Sequence, residues 1–294
     1  MYAIHAGKAA LNAHYKRIGW NARAQEGAVD GWYQTKFTLK EEPLVSILIP
    51  NKDHTDDLDV CLNSFFERAD YQNYEFIIIE NNSVLPETFA YYEKIEKEHD
   101  NVKVVYWEAG FNYSAINNFG FKFAKGDYIM LLNNDVELIT PDIFQSMLGF
   151  CMRPEVGIVG AKLLYSDDTV QHAGVVVGFG GYAGHVNIGI RRDDYGYMVR
   201  AQINCNYSAV TAACMITKKE LFEQVGGFDE QFVVACNDVD YCLKVRETGK
   251  WVVFNAFSEW YHYESKSRGY EDTPEKLKRF EGEVAKFQKN GRKY

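Results

Sequence analysis

Leu44-Val45-Ser46-Ile47-Leu48-Ile49-Pro50-Asn51-Lys52-Asp53 decides the fold: an almost unbroken apolar run, then a turn that ends in an acid. A strand with no polar face is one covered on both sides, which is how parallel sheets sit between helices. The same phrase recurs downstream. Phe76-Ile77-Ile78-Ile79 ends in Glu80-Asn81-Asn82-Ser83, and Tyr128–Leu132 ends in Asn133-Asn134-Asp135. Between these runs the spacing predicts helices over Asp57–Arg68, Pro86–Glu98 and Tyr113–Ala124, with a further strand at Val102–Tyr106. Proline at the first position suits the start of the second helix. Strand and helix in alternation give an α/β fold with a Rossmann-like, mostly parallel central sheet and helices on both faces.

Upstream of Pro43 lies an accessory segment, residues 1–42. Its spacing predicts a helix over Ala6–Arg17, closed by Gly19, and a short strand from Gly31-Trp32-Tyr33 through Phe37 and Leu39. The segment either packs on the main unit, mediates an oligomer contact or is the remnant of an upstream domain. Beyond Asp135 the rhythm loosens. Helices are expected at Pro141–Cys151, Lys218–Val225 and Asp238–Thr248, with Gly-punctuated strands between Gly157 and Ala213 and a strand at Trp251–Phe254. Residues 271–294 form a C-terminal helix whose Leu277, Phe280, Val284 and Phe287 share a face that docks.

Composition sets limits. The formal charge of -9 argues against a broad nucleic-acid surface, which needs clustered Lys and Arg. A nucleotide ligand remains compatible if a metal bridges the two negative partners. The six cysteines show neither a CxxC pair nor zinc spacing and read as buried thiols of a reducing compartment. With no apolar run of about 18 residues and no signal peptide in Met1–Leu11, the expected location is cytoplasmic, or peripheral to a membrane. Aromatics at 15% point to a large ring-filled core or to a surface that stacks sugars or a base.

Acids concentrate where such sheets bind ligands. Asp53, Glu80 and Asp135 each follow a strand, at the carboxyl edge of an open parallel sheet. Asp135, flanked by amides, could hold a hard divalent cation, or Asn133-Asn134-Asp135 could be only a turn. Asp238 opens a helix, where the dipole favours a charged carboxylate, so it is either a cap or a general base. His262 could be a further metal ligand, and Lys266 and Arg268 could grip phosphate oxygens; the bland alternative is a solvated loop. Gly178-Phe179-Gly180-Gly181-Tyr182-Ala183 spells a dinucleotide fingerprint but opens no helix, so it is set aside. His172, His185, Trp260 and Tyr261 are further pocket candidates.

Taken in order, VSILIPNKD (Val45–Asp53), IIENNS (Ile78–Ser83), NYSAINNFG (Asn112–Gly120), GDYIMLLNNDVE (Gly126–Glu137), VGGFDE (Val225–Glu230), NDVDYCL (Asn237–Leu243) and His262–Gly269 resemble family-two glycosyltransferases with the GT-A fold, including rhamnosyltransferase-like bacterial enzymes of polysaccharide and glycoprotein glycan synthesis. The resemblance covers most of the chain. It implies a GT-A domain over 43–270, with a nucleotide-binding half (43–137) and a smaller, irregular acceptor and catalytic half (138–270). It implies a divalent cation (Mn²⁺ or Mg²⁺), a UDP- or dTDP-sugar donor, and a glycan acceptor on a glycoprotein or lipid carrier. A homo-oligomer or a longer multidomain enzyme would also fit. Carried over residue by residue, Pro50, Asp53, Glu80, Asn82, Asn118, Asn133 and Asn134 would meet the donor, Asp135 the metal, and Asp238 would be the base. The chain departs from the family in three places: Glu80 stands for the usual Asp, Asn133 for the first acid of the metal motif, and Asn237 for the Glu before the base. The missing acid leaves a first rival, a catalytically inactive glycan- or nucleotide-sugar-binding module; a second, a sugar nucleotidyltransferase, is set aside because Pro50-Asn51-Lys52-Asp53 lacks a Gly-rich, Arg-bearing phosphate loop.

Overall fold

The computed structural model describes residues 2–263 and 273–290. In chain order its elements are α1 (Tyr2–Arg17), β1 (Ala22–Glu26), β2 (Tyr33–Phe37), β3 (Val45–Asn51), α2 (Thr55–Arg68), β4 (Tyr74–Asn81), α3 (Pro86–Glu98), β5 (Val102–Trp107), α4 (Tyr113–Phe121), β6 (Tyr128–Leu132) and β7 (Val136–Leu138). There follow α5 (Ile143–Cys151), β8 (Val156–Leu164), β9 (Val170–His172), β10 (Val175–Val177), β11 (Ala183–His185), β12 (Cys205–Asn206), β13 (Cys214–Lys218), α6 (Lys219–Gln224), α7 (Asn237–Glu247), β14 (Trp251–His262) and α8 (Pro274–Lys289).

One sheet dominates, in the order β12-β14-β8-β13-β6-β3-β4-β5, with β7 added to β14 and β9 to β8. β6, β3, β4 and β5 are parallel neighbours, as are β8 and β14; β13 runs antiparallel between β6 and β8. The sheet is thus mostly parallel, as expected. Alternate residues of each strand feed different cores. Ile47, Ile49 and Ile78 pack with α2, α3 and α5 residues on one face, while Leu48, Ile77 and Ile79 pack with α4, α6 and α7 residues on the other. Much of the aromatic content fills the first core, where Phe65 meets Phe76, Phe144 and Trp260.

The first 42 residues pack on this unit. The Arg153 guanidinium lies 3.3 Å from the Trp20 ring centre, Phe37 meets the Phe150 ring edge-on, and Lys36 pairs with Asp142 at 2.7 Å. The hairpin partner β1 carries no strand pattern of its own and was not expected; β2 supplies its register. β14 runs well past the expected end at Phe254. A register shift between Asn255 and Glu259 absorbs the polar break, and the strand continues against β8 to its end. On α8, Phe287 is buried against Phe232 as expected, but Leu277 is 46% exposed and does not dock. All six cysteines are free and only Cys205 is partly exposed; burial pushes the Cys151 thiol up to about 12. Among the described residues no helix is long and apolar enough to cross a membrane.

Gly126 sits where the chain entering β6 crosses β3. A Cβ there would collide with the Leu44 carbonyl oxygen and the Ser46 amide nitrogen, both backbone atoms that cannot swing aside. Gly126→Ala should therefore destabilise the fold by about 1–3 kcal/mol, the usual cost of overpacking, read as a lower urea midpoint at unchanged slope.

Candidate active site

The carboxyl ends of β3, β4 and β6 open onto a cleft of about 760 Å³, within the usual size range of small-molecule sites. Pro50, Asp53, Asn133, Asn134 and Asp135 line it from the first half of the chain; His185, Thr211–Ala213, Asp238 and His262 line it from the second. Asp53, His54, Asn82 and Cys236, all at the cleft or the recess beside it, hold left-handed backbone without being glycine. Such strain concentrates at ligand sites.

β7 brings the metal candidates together. It pairs antiparallel with the end of β14, setting Val136 opposite His262, and the Tyr263 amide donates to the Asp135 carbonyl at 2.9 Å. Asp135, 5% exposed, then has its Oδ1 3.3 Å from His262 Nε2. His262 Nδ1 is 2.6 Å from Gln171 Oε1, an acceptor, so Nδ1 carries the proton and Nε2 keeps its lone pair. The Asn133 amide, 3.2 Å from Nε2, agrees with that tautomer. A carboxylate oxygen and an imidazole lone pair facing each other at this range fit a divalent cation, and the hydrogen bond to Gln171 is the outer support that metal-binding histidines use. Among the described residues no group of three acids, cysteines or histidines could hold a metal. Phosphate oxygens of a ligand could add to such a shell, a common arrangement for hard cations.

Asp238 reaches the cleft from the first turn of α7. Its Oδ2 accepts from the Ala212 amide at 3.2 Å and its Oδ1 from the Val239 amide at 2.8 Å.

Asp53 has a double position. It lines the cleft, and its Oδ1 accepts from the Val84 and Leu85 amides, at 3.0 Å each, and from Thr88. Burial pushes its carboxyl up, but the bonds from Leu85, Val84 and Thr88, with Lys52 nearby, outweigh that and hold it below its ordinary range.

Several expected contacts fall elsewhere. Glu80 does not line the cleft. It is 3% exposed behind it and accepts from Ser83 and from the Tyr92 hydroxyl at 2.8 Å. Tyr92 in turn accepts from Asn51 at 2.7 Å, and Asn51 accepts from Asn134 at 2.6 Å. A buried polar chain thus ties the ends of β4, α3, β3 and β6 together. Asn118 is also off the cleft: its amide nitrogen donates to the Phe228 carbonyl and to Glu230, and its oxygen accepts from the Phe228 amide. Asn82 turns into the neighbouring recess and donates to the Ala109 carbonyl at 2.7 Å. Of the further pocket candidates only His185 lines the cleft. His172 is buried and, first by burial, kept from protonation; Trp260 is core, and Tyr261 donates to Asp168. Gly178–Gly181 forms a short 3₁₀ turn and opens no helix. Lys266 and Arg268 lie outside the described residues.

Removing the Tyr92 hydroxyl would leave both Glu80 and Asn51 short of a buried partner. Tyr92→Phe should cost about 1–3 kcal/mol, measured by equilibrium unfolding. A change below experimental error would show that the chain of bonds is not needed.

The Glycosyl transferase family 2 profile matches residues 46–226. An uncharacterized protein of Sinorhizobium fredii, y4gI, is 43% identical over 285 residues, 96% of this chain and 31% of its own length. The O-antigen biosynthesis protein RfbC of Myxococcus xanthus is 39% identical over 277 residues, 93% of this chain and 21% of its own. The chain therefore spans under a third of either curated relative. Among solved structures, a Pyrobaculum calidifontis mannosyltransferase in complex with GDP-Man and Mn²⁺ superposes with a TM-score of 0.63 at 15% identity, over 99% of this chain and 74% of that one. GalNAc-T7 with UDP, GalNAc and Mn²⁺ gives 0.64 at 14% identity, over 79% and 45%. At such identities these two likenesses speak for the fold.

Proposed function

The chain belongs to glycosyl transferase family 2 and has the GT-A fold, and on that premise we propose that its cleft transfers a sugar, with inversion, from a UDP- or dTDP-sugar to a hydroxyl of an acceptor glycan. One observation carries the reading: Asp135 and Asp238, from opposite halves of the chain, line a single cleft.

Asp238 accepts the proton of the acceptor hydroxyl as that oxygen attacks the anomeric carbon from the face opposite the leaving group. The new glycosidic bond forms as the bond to the nucleotide diphosphate breaks. Asp135 and His262 would hold a divalent cation, which offsets the charge of the departing diphosphate. Pro50, Asp53, Asn133 and Asn134 line the donor side; Glu80 and Asn118 act through the loops they brace. Both structural neighbours were solved with Mn²⁺, which supports the cation. The O-antigen relative supports a glycan acceptor, on a glycoprotein or lipid carrier, and the greater length of both relatives is compatible with a place within a longer enzyme.

A panel of UDP-, dTDP- and GDP-sugars, screened by thermal shift with and without Mn²⁺ and then by donor hydrolysis, tests this. One or a few donors should stabilise the protein, more so with metal, and be consumed slowly. Stabilisation without any turnover would favour an inactive binding module. No stabilisation by any donor would end both readings.

A further inference from the structure

Asp238 follows a loop, residues 229–236, that has no regular structure of its own, and the last of these residues, Cys236, holds left-handed backbone. Loops of this kind do not fix a side chain to a fraction of an ångström unless something else holds them. The holder is on α8, far along the chain. Glu283 is 3% exposed, and its carboxylate faces three consecutive backbone amides: Oε1 accepts from Val233 at 3.0 Å and Val234 at 3.3 Å, and Oε2 from Val234 at 3.4 Å and Ala235 at 2.6 Å. Val234, Ala235 and Cys236 line the cleft directly before the α7 turn that bears Asp238.

We propose that Glu283 is a positioning residue: by gripping the Val233–Ala235 amides it locks the loop that presents Asp238, so that α8 is a working part of the active site. This rests on the assignment of Asp238 as base. A carboxylate set in a nest of successive N–H groups forms charge-assisted bonds that a neutral side chain cannot fully replace. The rest of α8 reinforces the grip. Phe287 packs on Phe232, while Phe280 meets Tyr182 and Gln288 donates to the Gly181 carbonyl at 2.8 Å. α8 therefore spans two rims of the cleft, one carrying Tyr182 and the other Asp238. The helix lies beyond the residues matched by the family profile, which end at 226.

The test has two arms. In hydrogen–deuterium exchange, Glu283→Ala should speed exchange of the Val233–Ala235 amides about tenfold or more while peptides from β3 and β4 stay unchanged; unaltered exchange overturns the clamp. In kinetics with a donor that the wild type consumes, Glu283→Ala should lower kcat about 10–100-fold, the penalty expected for slight misplacement of a catalytic group, with donor KM within threefold. Glu283→Gln, which keeps one acceptor oxygen and the helix shape, should recover part of that loss. Lys289→Ala, an exposed change on the same helix, should leave kcat alone. Placed in an Asp238→Asn background, Glu283→Ala should add no further loss, because it acts through Asp238; losses that multiply would overturn the role. A wild type that consumes no donor sinks the assignment of Asp238, while the exchange arm still decides the clamp.

Discussion

Asp238→Asn is expected to lower kcat by ~10²–10⁴-fold, the range set by a positioned general base, while donor affinity stays within a few-fold. The substitution is close to isosteric. The amide oxygen can keep one of the two backbone donors, Ala212 or Val239, but the group can no longer take a proton from the acceptor. On the proposed reading donor binding draws on other groups of the cleft, Asp53 and Asp135, which the change leaves in place. Steady-state kinetics with an acceptor, paired with calorimetric titration of UDP and dTDP, separates the two quantities. Near-normal turnover by the variant would falsify the assignment. A collapse of nucleotide affinity would instead make Asp238 part of the donor site.

Asp135→Ala should weaken metal-supported nucleotide binding about 5–150-fold, the usual span of coupling between two ligands that share a site. The size of the effect follows from the proposed reading, in which Asp135 and His262 are the described residues that meet the cation. If phosphate oxygens complete the cation's shell, Mn²⁺ and nucleotide each raise the other's affinity, and deleting one of two protein ligands removes most of that mutual gain. Calorimetry of UDP with and without Mn²⁺ reads it directly. The wild type should show a large metal increment and the variant almost none; equal increments in both proteins would remove Asp135 from the metal's shell.

The nucleotide-binding half was legible because its strands are apolar on both faces, a pattern that only a covered parallel sheet satisfies. β3, β4, β5 and β6 lie within a residue or two of the expected runs. The second half was harder to read because its short strands exist through their partners. β7 has three residues, and what fixes it is the register with β14, including the pairing that sets His262 beside Asp135. No local pattern announces such a contact. Position at a strand end marked Asp53 and Asp135 well, but it could not say which way a side chain turns. Glu80 and Asn118 point into the scaffold and brace the loops that surround the donor side. Gln171, Ala212 and Glu283 were invisible for a related reason: Gln171 meets a ring atom and Glu283 a backbone amide of a residue distant in sequence, and Ala212 offers its own backbone amide to Asp238.

The buried bond from Tyr92 to Glu80 bears on how this chain can change over time. An aspartate at position 80, the residue that the family resemblance implies there, would be one methylene too short to meet Ser83 and Tyr92 together. A drift to aspartate would strand the phenol unless position 92 mutated in step. Glu80→Asp alone should therefore cost stability, and much of that cost should disappear when Tyr92 is replaced as well.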